Sequence, residues 1–231
     1  MKNTIKYTPS MNYNTRKMGA KPKVIIIHYT NMTNATSALS LLCNPQSQVS
    51  AHYLIEKFGT IHQLVPDHFR AWHAGLSSWQ GIDDLNSWSI GIELDNPGHS
   101  HGYKPFPNRQ IATLLDLLTH LCKIHEIAHY AILGHSDIAF DRKQDPGELF
   151  PWSTLNTHGF GLIPSREPLR QIPKDEAEAS VILEKIGYGK GDFSALLFAF
   201  QRHFVPHCLT GILDLETADV LSRIPYLTFF S

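Results

Sequence analysis

The run Lys23-Val-Ile-Ile-Ile-His28 constrains this chain more than any other segment. Its apolar residues are consecutive and β-branched, and the run is too short for a helix. It is predicted as a strand buried on both faces, the pattern of a central sheet strand, with His28 at its C-terminal end. A second run, Ser89-Ile-Gly-Ile-Glu-Leu94, alternates. Ile90, Ile92 and Leu94 face one side, and Gly91 and Glu93 face the other. Two further runs, His52 to Phe58 and Ile61 to Val65, flank Gly59-Thr60 and predict a hairpin. Ala131-Ile-Leu133 predicts one more short strand.

Helical spacing appears between these runs. Asn34 is placed to cap a helix reaching Leu42, and Asn108 to cap a longer one carrying Ile111, Leu114, Leu115, Leu118, Leu121 and Cys122 on one face. Strands alternating with helices give an α/β fold, a mixed central β-sheet flanked by helices. Residues 66–87 form a long loop with Trp72, His73 and Trp79, and loops of that length are commonly functional.

Residues 153–173 show no clear period, and beyond them the texture changes. Gly161 to Pro173 is rich in breakers and predicts a linker. Three short amphipathic patterns follow, at Lys174–Ile186, Asp192–His203 and Asp214–Ile224. The expected organisation is a catalytic domain over 1–160 with an irregular arm at 1–21, a linker at 161–173, and a small three-helix C-terminal domain over 174–231.

Charge and composition narrow the function. The formal net charge is −1, with no basic stripe, so nucleic acid is not an expected partner. The three cysteines are far apart and form no C-x-x-C pair, against a disulfide framework or a cysteine zinc site. No apolar run reaches the roughly 18 residues of a membrane-spanning helix. Met1 to Lys23 lacks a signal-peptide core. The expectation is either a cytoplasmic protein or a mature form whose export signal has been removed.

Three residues from separate segments suggest a metal site. His28 ends one strand, His135 follows another, and Asp145 lies ten residues later. Two histidines, one carboxylate and a fourth position for water make a catalytic zinc set. On spacing alone each has an ordinary alternative. A histidine at a strand end can simply be part-buried, and Asp145 before Pro146-Gly147 can start a turn.

Five motifs in order change that weighing: His28-Tyr29-Thr30, Trp72-His73-Ala74-Gly75, Ile90-Gly-Ile-Glu-Leu94, Gly134-His-Ser-Asp137 and Arg142-Lys-Gln-Asp-Pro-Gly147, with Phe150-Pro-Trp152 behind them. Together they resemble the zinc-dependent N-acetylmuramoyl-L-alanine amidases, which share their fold with peptidoglycan recognition proteins. The likeness covers about residues 20–155. The tail, through Leu183-Glu-Lys-Ile-Gly-Tyr188, Phe198-Ala-Phe-Gln-Arg-His-Phe204 and Thr210-Gly-Ile-Leu-Asp-Leu-Glu-Thr217, is similar to a three-helix peptidoglycan-binding module. The pairing resembles two-domain amidases of Gram-negative envelopes.

The resemblance implies one Zn²⁺ per chain, held by His28, His135 and Asp145. It implies Glu93 as general base and Lys143 as the group stabilising the oxyanion. His52 stands where phage relatives carry a catalytic tyrosine, a departure that leaves open whether it contacts the oxyanion, orients substrate or only packs. His52, Trp72, His73 and Asn96 are expected to contact sugar or stem peptide. The expected reaction cuts the amide between the lactyl group of N-acetylmuramic acid and L-alanine, in peptidoglycan or muropeptides, by a monomer in the periplasm or at the outer membrane, or else in the cytoplasm. A recognition protein that binds without cutting would need neither Glu93 nor Lys143. A serine or cysteine hydrolase would need an activated nucleophile, and no G-x-S-x-G elbow or Cys–His pairing is present.

Overall fold

The computed structural model describes residues 5–230. Its strands are β1 (Ile5–Tyr7), β2 (Tyr13–Thr15), β3 (Val24–Tyr29), β4 (Tyr53–Ile55), β5 (Ile61–Gln63), β6 (Phe69–Ala71), β7 (Ser89–Leu94) and β8 (Ile132–Gly134). Its helices are α1 (Ala35–Cys43), α2 (Leu85–Trp88), α3 (Asn108–His125), α4 (His135–Ile138), α5 (Trp152–Thr157), α6 (Glu176–Ile186), α7 (Phe193–Phe204) and α8 (Leu215–Arg223). Six strands form one mixed sheet in the order β1-β5-β4-β7-β3-β8, and β2 pairs with β6 in a separate ribbon.

The β-branched run sits where its composition sends it. Val24, Ile25, Ile26 and Ile27 are fully buried, because β3 has the parallel neighbours β7 and β8 on its two edges and packed side chains on both faces. Each such side chain contributes about 1.5–3 kcal/mol through burial. Truncating one, as in Ile26→Ala, would cost about 2–5 kcal/mol.

The predicted hairpin forms as the antiparallel pair β4–β5. Asn34 caps α1, accepting from the Ser37 N–H. Asn108, expected as a cap, is instead the first residue of α3, and Pro107 occupies the capping position without a side-chain bond.

The N-terminal arm departs from expectation. Residues 5–7 add a parallel edge strand against β5, and residues 13–15 pair with β6. Their side chains are half-buried or exposed and largely polar, so no apolar alternation announces them; the pairing comes from partners distant in the chain. Arg16 then anchors the arm. Its guanidinium donates to the carbonyls of Asp67, Asn86, Ser87 and Ser89.

Residues 161–175 carry no regular element. The three C-terminal helices that follow begin with aspartate caps, Asp175, Asp192 and Asp214, each accepting a backbone N–H three residues on. Their apolar faces, through Leu183, Ile186, Leu197, Phe200 and Leu221, join the same continuous core as β3, β7 and α3.

Candidate active site

His28 and His135 reach one point because β3 and β8 are parallel neighbours in register, with Ile27 opposite Gly134. Each histidine is the next residue along its chain, so both leave the sheet at matching positions near strand C-termini, the usual place for a site in an open α/β sheet. The segment after α4 returns Asp145 to them, held by the Ser136 N–H donating to the Asp145 carbonyl at 2.8 Å.

The donor atoms converge tightly. His28 Nδ1 and His135 Nδ1 lie 3.0 Å apart. Asp145 Oδ2 is 2.9 Å from the first and 3.0 Å from the second. Tetrahedral zinc with bonds of roughly 2.0–2.1 Å places its ligands about 3.3 Å apart. The triangle therefore fits that ion with a small expansion, and all three residues are buried.

The outer partners settle which nitrogen carries each proton. The Leu85 carbonyl can only accept, so the Ser89 hydroxyl donates to it at 2.6 Å. Ser89 Oγ then accepts from the Nε2–H of His73 at 3.1 Å. That leaves a lone pair on His73 Nδ1, which accepts from the Nε2–H of His28 at 3.0 Å. His28 is thereby left with a lone pair on Nδ1, the atom facing His135 and Asp145. His135 reaches the same state more simply, since its Nε2–H donates to the Ala74 carbonyl at 3.0 Å. Both imidazoles thus offer Nδ1 as metal donors.

The loop Trp72–Gly75 supplies both outer partners, the His73 ring and the Ala74 carbonyl. Asn86 Oδ1 holds it by accepting the N–H groups of His73 and Ala74. Gly91 makes room for it. A Cβ at Gly91 would lie 2.4 Å from Cγ of His73, so only glycine lets the ring rest on β7.

Electrostatics suit ligation. Burial, reinforced by His135, lowers the His28 imidazole to about 4, keeping it neutral. Burial and the neighbouring His28 and His52 likewise push His73 well down. Burial alone would raise the Asp145 carboxyl, but His135 and His28 hold it well below the usual carboxylate range. A neutral His28 imidazole beside an ionised carboxylate is the form a divalent cation requires.

Glu93 stands beside this set. It is in register with His28 across the β3–β7 pairing, and both line one cleft of about 500 Å³ with Lys143. Burial, then the charge of Asp145, raises the Glu93 carboxyl well above its ordinary range, while Lys143 opposes the rise. Its Oε2 is buried without a hydrogen-bond partner among the described residues. A buried carboxyl with an unused oxygen facing a cleft is suited to proton transfer. Tyr29, Leu41, Val49, Trp72 and His99 complete the walls.

Not every residue expected in the cleft is there. Trp72 lines it. His73 borders it, but both ring nitrogens are engaged by His28 and Ser89. His52 is a correction. It is fully buried, its Nδ1 accepts the Gly91 N–H, and its Nε2–H donates to the Phe69 carbonyl. Burial beside Arg16 lowers it to about 3, so it is a neutral brace for β7 and lies outside the residues that line the cleft. Asn96 is a second correction. It is buried, donates to the Lys104 carbonyl and accepts from the Gly98 N–H, fastening its own loop. Sequence reasoning missed Ser89, Gly91 and Asn86. The alternation that aimed Glu93 at the cleft also put Gly91 and Ser89 on that face, two and four residues back, and was the available signal.

Comparisons with known proteins agree with this geometry. Residues 18–148 match the family model described as N-acetylmuramoyl-L-alanine amidase. The chain is 38% identical to the N-acetylmuramoyl-L-alanine amidase AmiD of Escherichia coli (strain K12), over 87% of this chain and 82% of that protein. The structure of E. coli AmiD with anhydro-N-acetylmuramic acid-L-Ala-D-gamma-Glu-L-Lys superposes with a TM-score of 0.78 at 34% identity, covering 91% of this chain and 92% of that one. AmpDh3 from Pseudomonas aeruginosa, in complex with anhydromuramic pentapeptide, gives a TM-score of 0.81 at 30% identity, covering 91% and 94%. Fold, donor set and sequence similarity together establish that the chain belongs to the N-acetylmuramoyl-L-alanine amidase family.

Proposed function

We propose that this protein is a zinc-dependent amidase that hydrolyses the bond between the lactyl group of N-acetylmuramic acid and L-alanine in peptidoglycan or muropeptides. The observation that carries the reading is the donor triangle of His28, His135 and Asp145 with Glu93 in register beside it. One Zn²⁺ per chain would be held by those three residues. When bound, it supplies Lewis acidity toward the amide carbonyl and acidifies the attacking water.

The chain's own residues do the rest. Glu93 takes a proton from the attacking water and hands it to the leaving L-alanine amine. Burial raises the basicity of its carboxylate, which makes it the stronger base. Lys143 provides ammonium donors to the oxyanion as the carbonyl turns tetrahedral. Trp72 offers an aromatic wall to sugar or peptide. A protein that only recognised the wall would use neither Glu93 nor Lys143. The relatives solved with anhydromuramic peptides favour muropeptides of that class as substrate. The C-terminal helices would add affinity for the wall, and the enzyme would act in wall turnover in the envelope. No described helix is long and apolar enough to cross a membrane.

The test is mass spectrometry of defined muropeptides incubated with the protein, with and without chelator. Stem peptides with a free L-alanine amine should appear, cease after chelation, and return with zinc. Release at the untreated rate after chelation would overturn the metal reading.

A further inference from the structure

The turn that carries His135 is not closed by its own segment alone. Asp137, two residues on in α4, sends Oδ2 back to the Gly134 N–H at 2.7 Å. The same oxygen accepts from His203 Nδ1–H of α7 at 2.8 Å. Oδ1 accepts from the Tyr188 hydroxyl, just past α6, at 2.9 Å. The side chains of Asp137 and His203 are each only 1% exposed. Two of the three donors on this buried carboxylate therefore come from the C-terminal helices, 51 and 66 residues away.

Packing repeats the connection. The His203 ring is stacked between Trp152, at 3.7 Å and 12°, and Phe204, at 4.0 Å and 9°. Trp152 in turn lies against Gly134, where an added Cβ would be 3.4 Å from its Cζ2 and 2.8 Å from Cδ of Pro146. Pro146 follows Asp145. His203 thus reaches the metal-ligand segment by two routes, hydrogen bonding through Asp137 and stacking through Trp152.

A buried carboxylate stripped of donors is costly, and the backbone around it shifts to find others. Here the backbone that would shift carries His135. We propose that His203 and Tyr188 are positioning residues for His135, so that the C-terminal helices form part of the scaffold of the metal site besides any hold they have on the wall. The inference rests on the metal reading of His28, His135 and Asp145.

The test measures zinc affinity of full-length protein by competition with a chelator. His203→Ala and Tyr188→Phe should each weaken zinc binding, by roughly 10–100-fold, the range for loss of an outer partner. His203→Asn, which keeps an N–H donor near the Nδ1 position, should recover part of the loss. Leu221→Ala, a buried core residue of α8 that makes none of the hydrogen bonds to Asp137, should lower the melting temperature yet leave zinc affinity unchanged. Tyr188→Phe removes one hydroxyl, so it remains informative should His203→Ala not fold. Wild-type affinity in Tyr188→Phe and in folded His203→Ala, or an equal loss in Leu221→Ala, would overturn the proposal. Absence of zinc binding by the wild type would overturn the metal reading with it.

Discussion

Glu93 and His28 are register partners across the parallel β3–β7 pairing. Side chains alternate along a strand, so in-register residues of parallel neighbours project from the same face. The proposed base and one of the proposed metal donors are therefore set side by side by sheet pairing, and loop conformation plays no part in their placement.

Glu93→Gln should abolish cleavage while raising stability. The buried Glu93 carboxyl has its pKa raised by burial and by Asp145, so the folded protein holds that proton more tightly than the unfolded chain. Stability is then lost as pH rises from the unfolded pKa toward the folded one. Glutamine removes this loss. In metal-free protein the variant should melt higher than wild type at pH 7–8, and the difference should vanish below about pH 4, where glutamate is protonated in both states. An unchanged melting temperature at neutral pH would count against a strained carboxylate. Retained turnover would count against its role as base.

Lys143→Met should reduce kcat by roughly 10²–10³-fold, the range for loss of an oxyanion donor. It should also move the acid limb of the pH–rate profile. Lys143 favours ionised Glu93, so removing it raises the Glu93 pKa further and requires a higher pH to generate the base. The limb therefore shifts upward. A profile that keeps its limb while losing rate would separate Lys143 from Glu93 electrostatically.

Chelation should lower the melting temperature as well as activity. Bound metal stabilises by mass action, about 4 kcal/mol at a thousandfold excess over Kd. For a domain of this size that corresponds to roughly 8–16 °C. Calorimetry of metal-free and zinc-restored protein measures it, and no shift would mean that the triangle does not hold zinc.

The parts legible in the sequence are those governed by one strand's own pattern. β3 was readable from four β-branched residues, and β7 from the alternation that aims Glu93 away from Ile92. The proposed metal donors stand out only through resemblance, since the spacing of His28, His135 and Asp145 says little by itself. What stayed hidden depends on partners far along the chain. β1 and β2 are short polar strands defined by β5 and β6. His52 looks available on paper because its bond from the Gly91 N–H and its bond to the Phe69 carbonyl exist only once the sheet forms. Asp137 stands in a motif two residues after a proposed ligand, yet two of its donors lie beyond residue 187.

Ser89→Ala tests the tautomer chain with little disturbance to packing. Ser89 does not line the cleft; its hydroxyl accepts from His73 and donates to the Leu85 carbonyl. Without it, His73 Nε2–H loses its acceptor, and the ring can move its proton to Nδ1. His28 would then face a donor where it had an acceptor, and its own proton would be driven toward Nδ1, the atom needed by the metal. Zinc affinity should fall by about tenfold, at the lower end for outer-partner loss, with at most a small change in melting temperature. Gly91→Ala attacks the same ring by steric displacement and should lower both affinity and stability, since the clash is with a buried side chain on a central strand. Nitrogen NMR of the imidazoles in wild-type protein should report His73 protonated at Nε2. Protonation at Nδ1 would break the chain at its middle link.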